Sequence, residues 1–402
     1  MNIKNIVIVG GGPVGLFMTI LLLKSKFIKN YNITLIEKRK EYSRENIIAL
    51  PLDELDKIFP KDLFDKIKIL GCFRKTRVNK CYTERVNLNT LIIPLHVFEK
   101  ECFEYISKKK INIIHNDKIP KKIFNQAHII ISSTGYNNYI GNLLLNTKEV
   151  HYHTYYGLGV LFENQNHKTY KINNSKQLSS PLRYAIFPSK TPNRYYMGIS
   201  ISKKTYNIVN NIKLKLNQSL IKIDNIPLVI KKIIASGLKF YNVSNFRNID
   251  LFPIEIKLYH REPPIKIIKY KNTTKLVALL GDSAFSHHFF SGSGVITGFK
   301  SANFLNKLIN PNYKNGYRNG IVTKYKNYLL NMRKKKWSKY ARNIVIPFEE
   351  LEKISQIIPR SDLEEIARKN NIPFSNLSKK ELAFVIGCQN IPSCKGNPFA
   401  KA

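Results

Sequence analysis

Three glycines, Gly10, Gly12 and Gly15, follow the β-branched run Ile6–Val9 and open an apolar helical stretch, "PVGLFMTILLLKS". This spacing serves one chemistry well, the holding of a phosphate pair. Gly10 permits a tight turn, Gly12 lets backbone approach a pyrophosphate, and Gly15 lets the helix pack on its strand. The helix N-terminus then offers free N–H groups and partial positive charge. A second apolar run, "NITLIEK", ends at Glu37, 22 residues past Gly15. A carboxylate there can accept hydrogen bonds from ribose hydroxyls. Further on, "KLVALL" runs into "GDSAFSHHFFSGSGVITGFK". Asp282 is a carboxylate suited to sugar-like hydroxyls. Gly292, Gly294 and Gly298 then lead into a helix. The chain has only 19 glycines in 402 residues, so this cluster marks a close backbone approach.

The elements that position these residues are strand–turn–helix units, and two more stretches join them. "HIIISSTGYNNYI" is a strand ending in Thr134-Gly135. "EKRKEYSRENIIAL" places Arg44 seven residues after Glu37. The whole set resembles the FAD-dependent monooxygenases of the aromatic-hydroxylase type. The segment around Arg44 and the later "GSGVITGF" are nearest in motif to the MICAL-type branch, which oxidises methionine in actin. Nothing in the chain resembles that branch's actin-interaction or LIM modules.

The resemblance implies FAD as cofactor. Gly10, Gly12, Gly15 and Glu37 would hold its ADP part. Arg44, Gly135, Asp282, Gly292 and Gly294 would hold its flavin part. A helix N-terminus beside the ring would stabilise charge on a reduced flavin. The implied activity is transfer of oxygen from a flavin hydroperoxide to an unidentified small-molecule or protein-side-chain substrate, with NAD(P)H as electron donor. Four departures stand out. Thr134 takes the place of the family's aspartate, which in many members supports NADPH engagement. Phe289 and Phe290 replace a proline, Ile296 an asparagine, and Leu95 or His96 a flavin-contacting arginine. A flavin-dependent reductase or dehydrogenase on the same fold is therefore a second reading. A non-catalytic flavin- or nucleic-acid-binding protein is a third.

The expected fold is α/β. A FAD-binding Rossmann-type domain covers 1–135 and 275–310. A mostly antiparallel sheet domain, 136–274, is inserted to bind substrate. Its strands are "YYGLGVLF", "RYAIFP", "RYYMGISIS" and "FPIEIKLYH". Tyr155, Tyr156, Tyr184, Tyr195 and Tyr196 either line an apolar pocket or serve ordinary sheet packing. A basic helical segment, 311–346, follows. Residues 347–402 resemble a SAP-like helical unit, with one helix capped by Ser361 or Asp362 and a second running from Ser378 to Ile386. Some such units bind DNA. His287 and His288 are either acid–base groups or loop-edge residues. The sequence holds no Ser-His-Asp arrangement, metal cluster or paired catalytic carboxylates.

Composition is globular, with 43% hydrophobic and 23% charged residues. No apolar run reaches the length of a membrane span. The glycines within the first apolar run and the missing small-residue cleavage site argue against a secretory leader. Five cysteines, none in a CxxC pair, argue against a disulfide framework or zinc site and favour a reducing, cytoplasmic setting. The net charge of +39 has two readings. One is a polyanionic partner. The other is a codon bias towards Lys, Asn, Ile and Tyr, since the basic residues are dispersed along the chain.

Overall fold

The computed structural model describes residues 4–25, 29, 31–80, 84–164, 184–188, 194–240, 243, 246–286, 294–312, 320–336, 359–369, 375, 379 and 382. The chain divides into two compact units. The first comprises Met1–His153, Ser189–Pro192 and Lys257–Arg333; the second comprises Thr154–Pro188, Asn193–Ile256 and Lys334–Ala402.

The first unit is built on a six-stranded sheet. Its order is β13 (Ile265–Tyr270), β14 (Thr273–Leu279), β7 (Ile129–Ser132), β1 (Lys4–Val9), β2 (Tyr31–Ile36) and β6 (Asn112–Ile114). All neighbours are parallel except the β13–β14 hairpin. Ile6 pairs with Ile33 on one side and Ile129 on the other. Strands buried on both faces need continuous apolar runs, which "IVIV" and "III" supply. The helix α1 (Pro13–Lys24) follows β1 and is buried from Gly15 to Leu22, as an all-apolar helix must be.

Between β2 and β6 the chain forms a small antiparallel sheet, β3 (Ile47–Pro51), β5 (Glu84–Pro94) and β4 (Cys72–Lys80). Around it lie α2 (Leu52–Asp56), α3 (Lys61–Leu70) and α4 (Leu95–Ser107), and α5 (Lys121–Gln126) precedes β7.

The second unit holds most of a five-stranded sheet. Its order is β11 (Ile221–Lys222), β12 (Phe246–Glu262), β8 (Lys148–Asn164), β10 (Tyr195–Ser200) and β9 (Tyr184–Pro188). The pairs β8–β10, β9–β10 and β11–β12 are antiparallel. One face packs on α6 (Lys203–Leu216) and α7 (Leu228–Phe240), joining Leu158, Val160, Phe162, Tyr195 and Met197 to Val209, Ile230 and Ile234. Strand alternation sends Tyr155, Leu161 and Tyr196 to the other face. There Tyr196 stacks on Phe252 at 6.1 Å. Of the expected tyrosines, Tyr195 stacks on Phe162 at 5.5 Å and Tyr156 meets Tyr206 at 4.9 Å, both on the helix side.

The two helices depart from the sequence reading of this region, which found only strands and turns. The tail of α6, "IKLKL", alternates like a strand. The register Tyr206, Val209, Ile212 faces the core at helical spacing instead. Ser202 caps it, its Oγ accepting from Thr205 N at 3.1 Å.

Helix α8 (Gly294–Asn312) and most of α9 (Gly320–Lys336) end the described part of the first unit, and α10 (Arg360–Lys369) belongs to the second. The second helix expected for the SAP-like unit, and most of the basic segment beyond Lys336, lie outside the described residues.

Candidate functional site

The chain leaves β1 at Val9 and turns sharply. Gly10 takes φ +97°, and a Cβ on it would lie 2.6 Å from the Ser133 carbonyl oxygen, so no other residue fits. A Cβ on Gly15 would strike the Gly10 carbonyl. Gly12 stands at the N-cap of α1 with no side-chain cap and no acidic residue in the first turn. The leading N–H groups of the helix have no intrahelical acceptor, and they favour an anion. Opposite them stands Arg44, its Nη2 3.7 Å from where a Gly12 Cβ would be. An open helix N-terminus faced by a guanidinium fits a pyrophosphate.

Glu37 follows β2 and is buried. It accepts from Gly11 N at 2.5 Å, and from Arg39 N, Nε and Nη2 at 2.8, 2.9 and 3.1 Å. Burial pushes its carboxyl up, but the Arg39 and Gly11 bonds outweigh that and hold it below the usual range. Both oxygens are thus occupied. A ribose hydroxyl would bond Glu37 by displacing one of the Arg39 N–H groups. Tyr42 closes the turn by donating to Gly11 O at 3.0 Å, with Arg39 4.8 Å from its ring.

Arg44 is ion-paired with Glu99, a fully buried carboxylate on α4. Arg39 Nη1 lies 3.6 Å from the other Glu99 oxygen. His96 holds the Arg44 backbone: its N donates to Arg44 O at 3.1 Å, and its ring Nδ1 lies 3.0 Å from that oxygen.

The strands β7 and β14 end side by side. Past β7, Gly135 takes φ +74° and donates its N–H to Ser283 Oγ at 3.0 Å. Thr134 Oγ1 sits 3.3 Å from Ser132 Oγ. Past β14, Asp282 has its backbone clamped. Buried Arg261 donates through Nη1 to Asp282 O and Ser283 O at 3.3 and 3.1 Å. Its Nη2 donates to Tyr136 O and Glu149 Oε2, both at 2.7 Å. The guanidinium lies 4.4 Å from the Tyr259 ring centre, and the Tyr259 hydroxyl also donates to Asp282 O. The Asp282 carboxylate, in contrast, has no hydrogen-bond partner among the described residues. The residue is exposed to water, while its carboxyl has protein close around it. Burial pushes its pKa up to about 6, against the opposing pull of Arg44 and Arg261.

Gly10, Gly12, Gly15, Glu37 and Arg44 therefore gather at the N-terminus of α1. Gly135 and Asp282 are joined through Ser283, and Arg44 and Asp282 are near enough for their charges to interact. All of these lie beyond the C-terminal ends of parallel strands, where α/β sheets bind ligands. Gly294 opens α8. Gly298 has another reason to be glycine: a Cβ there would collide with Val14 of α1. Gly292, His287 and His288 lie outside the described residues. Sequence reasoning missed Arg39, Tyr42, Glu99 and Arg261. Only Arg39, two residues past Glu37, carries a local signal. Among the described residues no group of three or more potential metal ligands occurs, and no helix is long and apolar enough to cross a membrane.

No protein-family model matches the chain, and no curated protein sequence does. Solved structures do match in fold. The flavin-dependent halogenase CmlS superposes with a TM-score of 0.61 at 11% identity, covering 95% of this chain and 68% of that one. A flavoprotein/dehydrogenase from Cytophaga hutchinsonii gives 0.57 at 13%, covering 100% and 96%. The p-nitrophenol 4-monooxygenase PnpA from Pseudomonas putida DLL-E4 gives 0.55 at 13%, covering 96% and 97%. The chain thus has the fold of flavin-dependent monooxygenases and halogenases, with a Rossmann-like parallel sheet and an antiparallel sheet.

Proposed function

We propose that this chain is a FAD-dependent oxidoreductase of the monooxygenase type. The observation that carries the proposal is the free Asp282 carboxylate within electrostatic range of Arg44, beside an open helix N-terminus. That set matches one elongated ligand with a phosphate pair at one end and sugar-like hydroxyls further along. Gly10, Gly12, Gly15 and Arg44 would hold the pyrophosphate, and Glu37 with Arg39 the adenosine ribose. Asp282 would accept from a ribityl hydroxyl, with Gly135 and Gly294 leaving room for the ring. Bound FAD would supply the redox and oxygen chemistry. The protein's part is to position the ring, hold charge near it and keep water out. The fold likeness supports the reading, and NAD(P)H would serve as the electron donor for an unidentified substrate.

The first test is the visible absorption spectrum of the purified chain, followed by anaerobic NADPH. Flavin bands are expected, with bleaching by NADPH. A colourless protein that refuses added FAD would defeat the proposal. Thr134, standing where the resembled enzymes carry aspartate, favours a second reading, a reductase or dehydrogenase. Substrate-dependent flavin reduction without NADPH, and no ¹⁸O incorporated from O₂, would select it.

A further inference from the structure

Glu99 is the least expected group near the α1 N-terminus. It is 0% exposed, on a helix face that it shares with the buried Leu95, Cys102 and Ile106. Its Oε1 pairs with Arg44 and lies 3.8 Å from where a Gly12 Cβ would stand. Its Oε2 has no hydrogen-bond partner and faces Arg39 Nη1 at 3.6 Å. A buried carboxylate therefore sits at the positive end of a helix, between two guanidiniums. A bound pyrophosphate would need the same electrostatic environment.

We propose that Glu99 is an internal counter-ion that occupies the phosphate's electrostatic place and yields Arg44 when a dinucleotide binds. Glu99 is thus an affinity-setting residue that touches Arg44 rather than the reacting atoms. The inference rests on the flavin reading above and adds its regulation. Two effects follow from charge alone. Arg44 is held towards the site in advance, which reduces the ordering cost of binding. The ionised Glu99 also opposes the arriving phosphates, at close range and shielded from water.

Protonation of Glu99 relieves that opposition. Burial raises its pKa, and Arg44 and Arg39 only partly offset the effect. The neutral form is favoured as pH falls, so phosphate affinity increases towards acid and decreases as pH rises through the Glu99 titration. Other titratable groups face the same spot. Glu37, Arg39, Tyr42 and Arg44 come from the segment after β2. Glu101 and Cys102 share α4, with Glu101 turned to Lys66 of α3 at 2.5 Å. His96 touches the Arg44 backbone, and α1 presents only its N-terminus. Asp282 lies further along the site.

The test is the dissociation constant of FAD, ADP and riboflavin between pH 4.5 and 9, read by flavin fluorescence for the flavins and by calorimetry for ADP. For the wild type, FAD and ADP affinity is expected to fall with rising pH relative to riboflavin, which has no phosphate and follows Asp282 alone. Glu99→Gln is expected to bind FAD and ADP about tenfold more tightly at the alkaline end, a factor worth ~1.4 kcal/mol, and to lose the slope. Arg44→Gln, at a half-exposed position, should lose both affinity and slope with the fold intact. If Glu99→Gln binds FAD no tighter and keeps the wild-type slope, the inference is overturned while the flavin reading stands. A wild type whose FAD affinity follows the pH profile of riboflavin does the same without any variant. Failure of the wild type to bind either FAD or ADP would overturn both.

Discussion

Asp282 is the residue on which the proposed flavin contact turns, and its environment gives the sign of a pH effect. Its pKa is raised to about 6. Above that value the ionised carboxylate accepts a charge-assisted hydrogen bond from a hydroxyl; below it the bond weakens. Riboflavin affinity, which excludes the phosphates, should therefore decline as pH drops from 7 to 5. Such a bond is worth about 1.5–3 kcal/mol, so Asp282→Ala should cost roughly 10–100-fold in flavin affinity, measured by fluorescence titration. Full flavin occupancy in that variant would sink the assignment. Arg261 acts one step back. It ties the carbonyls of Tyr136, Asp282 and Ser283 to Glu149 from a buried position. Arg261→Met would leave those acceptors short of donors and should cost about 3 kcal/mol of stability, seen in a chemical denaturation curve. An unchanged midpoint would show that water replaces the guanidinium.

At the scale of elements, α1 and α8 meet without room to spare. Phe17 stacks on Phe299 at 4.1 Å, and Phe98 joins at 6.0 Å from Phe299. Gly298 sits against Val14, so Gly298→Ala overpacks the contact and should destabilise by about 1–3 kcal/mol. Val14→Ala made alongside it should recover most of that loss. Equal losses in the single and double variants would place the strain elsewhere. This contact also shows what a sequence can reveal. The turn after β1 was legible because strand, glycines and helix are contiguous, and each glycine answers to a neighbour close in the chain or at the next strand end. The glycines around the start of α8 were legible as a set. That one of them serves helix packing was not, because its partner lies 284 residues earlier. Glu99 and Arg261 were invisible for the same reason. Their partners sit 55 and up to 125 residues away, and no spacing rule links them. The helix α6 was hidden differently, since its polar and apolar residues satisfy two periods at once and only the core beneath selects one.

For the molecule as a whole, the open matter is the charge of +39. Specific nucleic-acid sites gather basic residues on one face or element. Here lysines and arginines occur on nearly every element, and several of the arginines are committed to internal partners. Arg39 and Arg44 answer Glu37 and Glu99, Arg194 and Lys222 answer Asp250, and Arg261 answers Glu149. The exposed end of α10 is itself mixed in sign, with Arg360 paired to Glu364. A dispersed positive surface binds any polyanion weakly, through counter-ion release, with affinity falling steeply as salt rises. DNA binding should therefore be sequence-independent, lie in the ~10⁻⁴–10⁻⁶ M range at physiological salt, and be compete away equally by heparin. Removal of residues 347–402 should change it only in proportion to the charge removed. A tight complex that survives salt and disappears with that deletion would instead make the C-terminal segment a dedicated reader, and the flavin site would then be one of two functions on the chain.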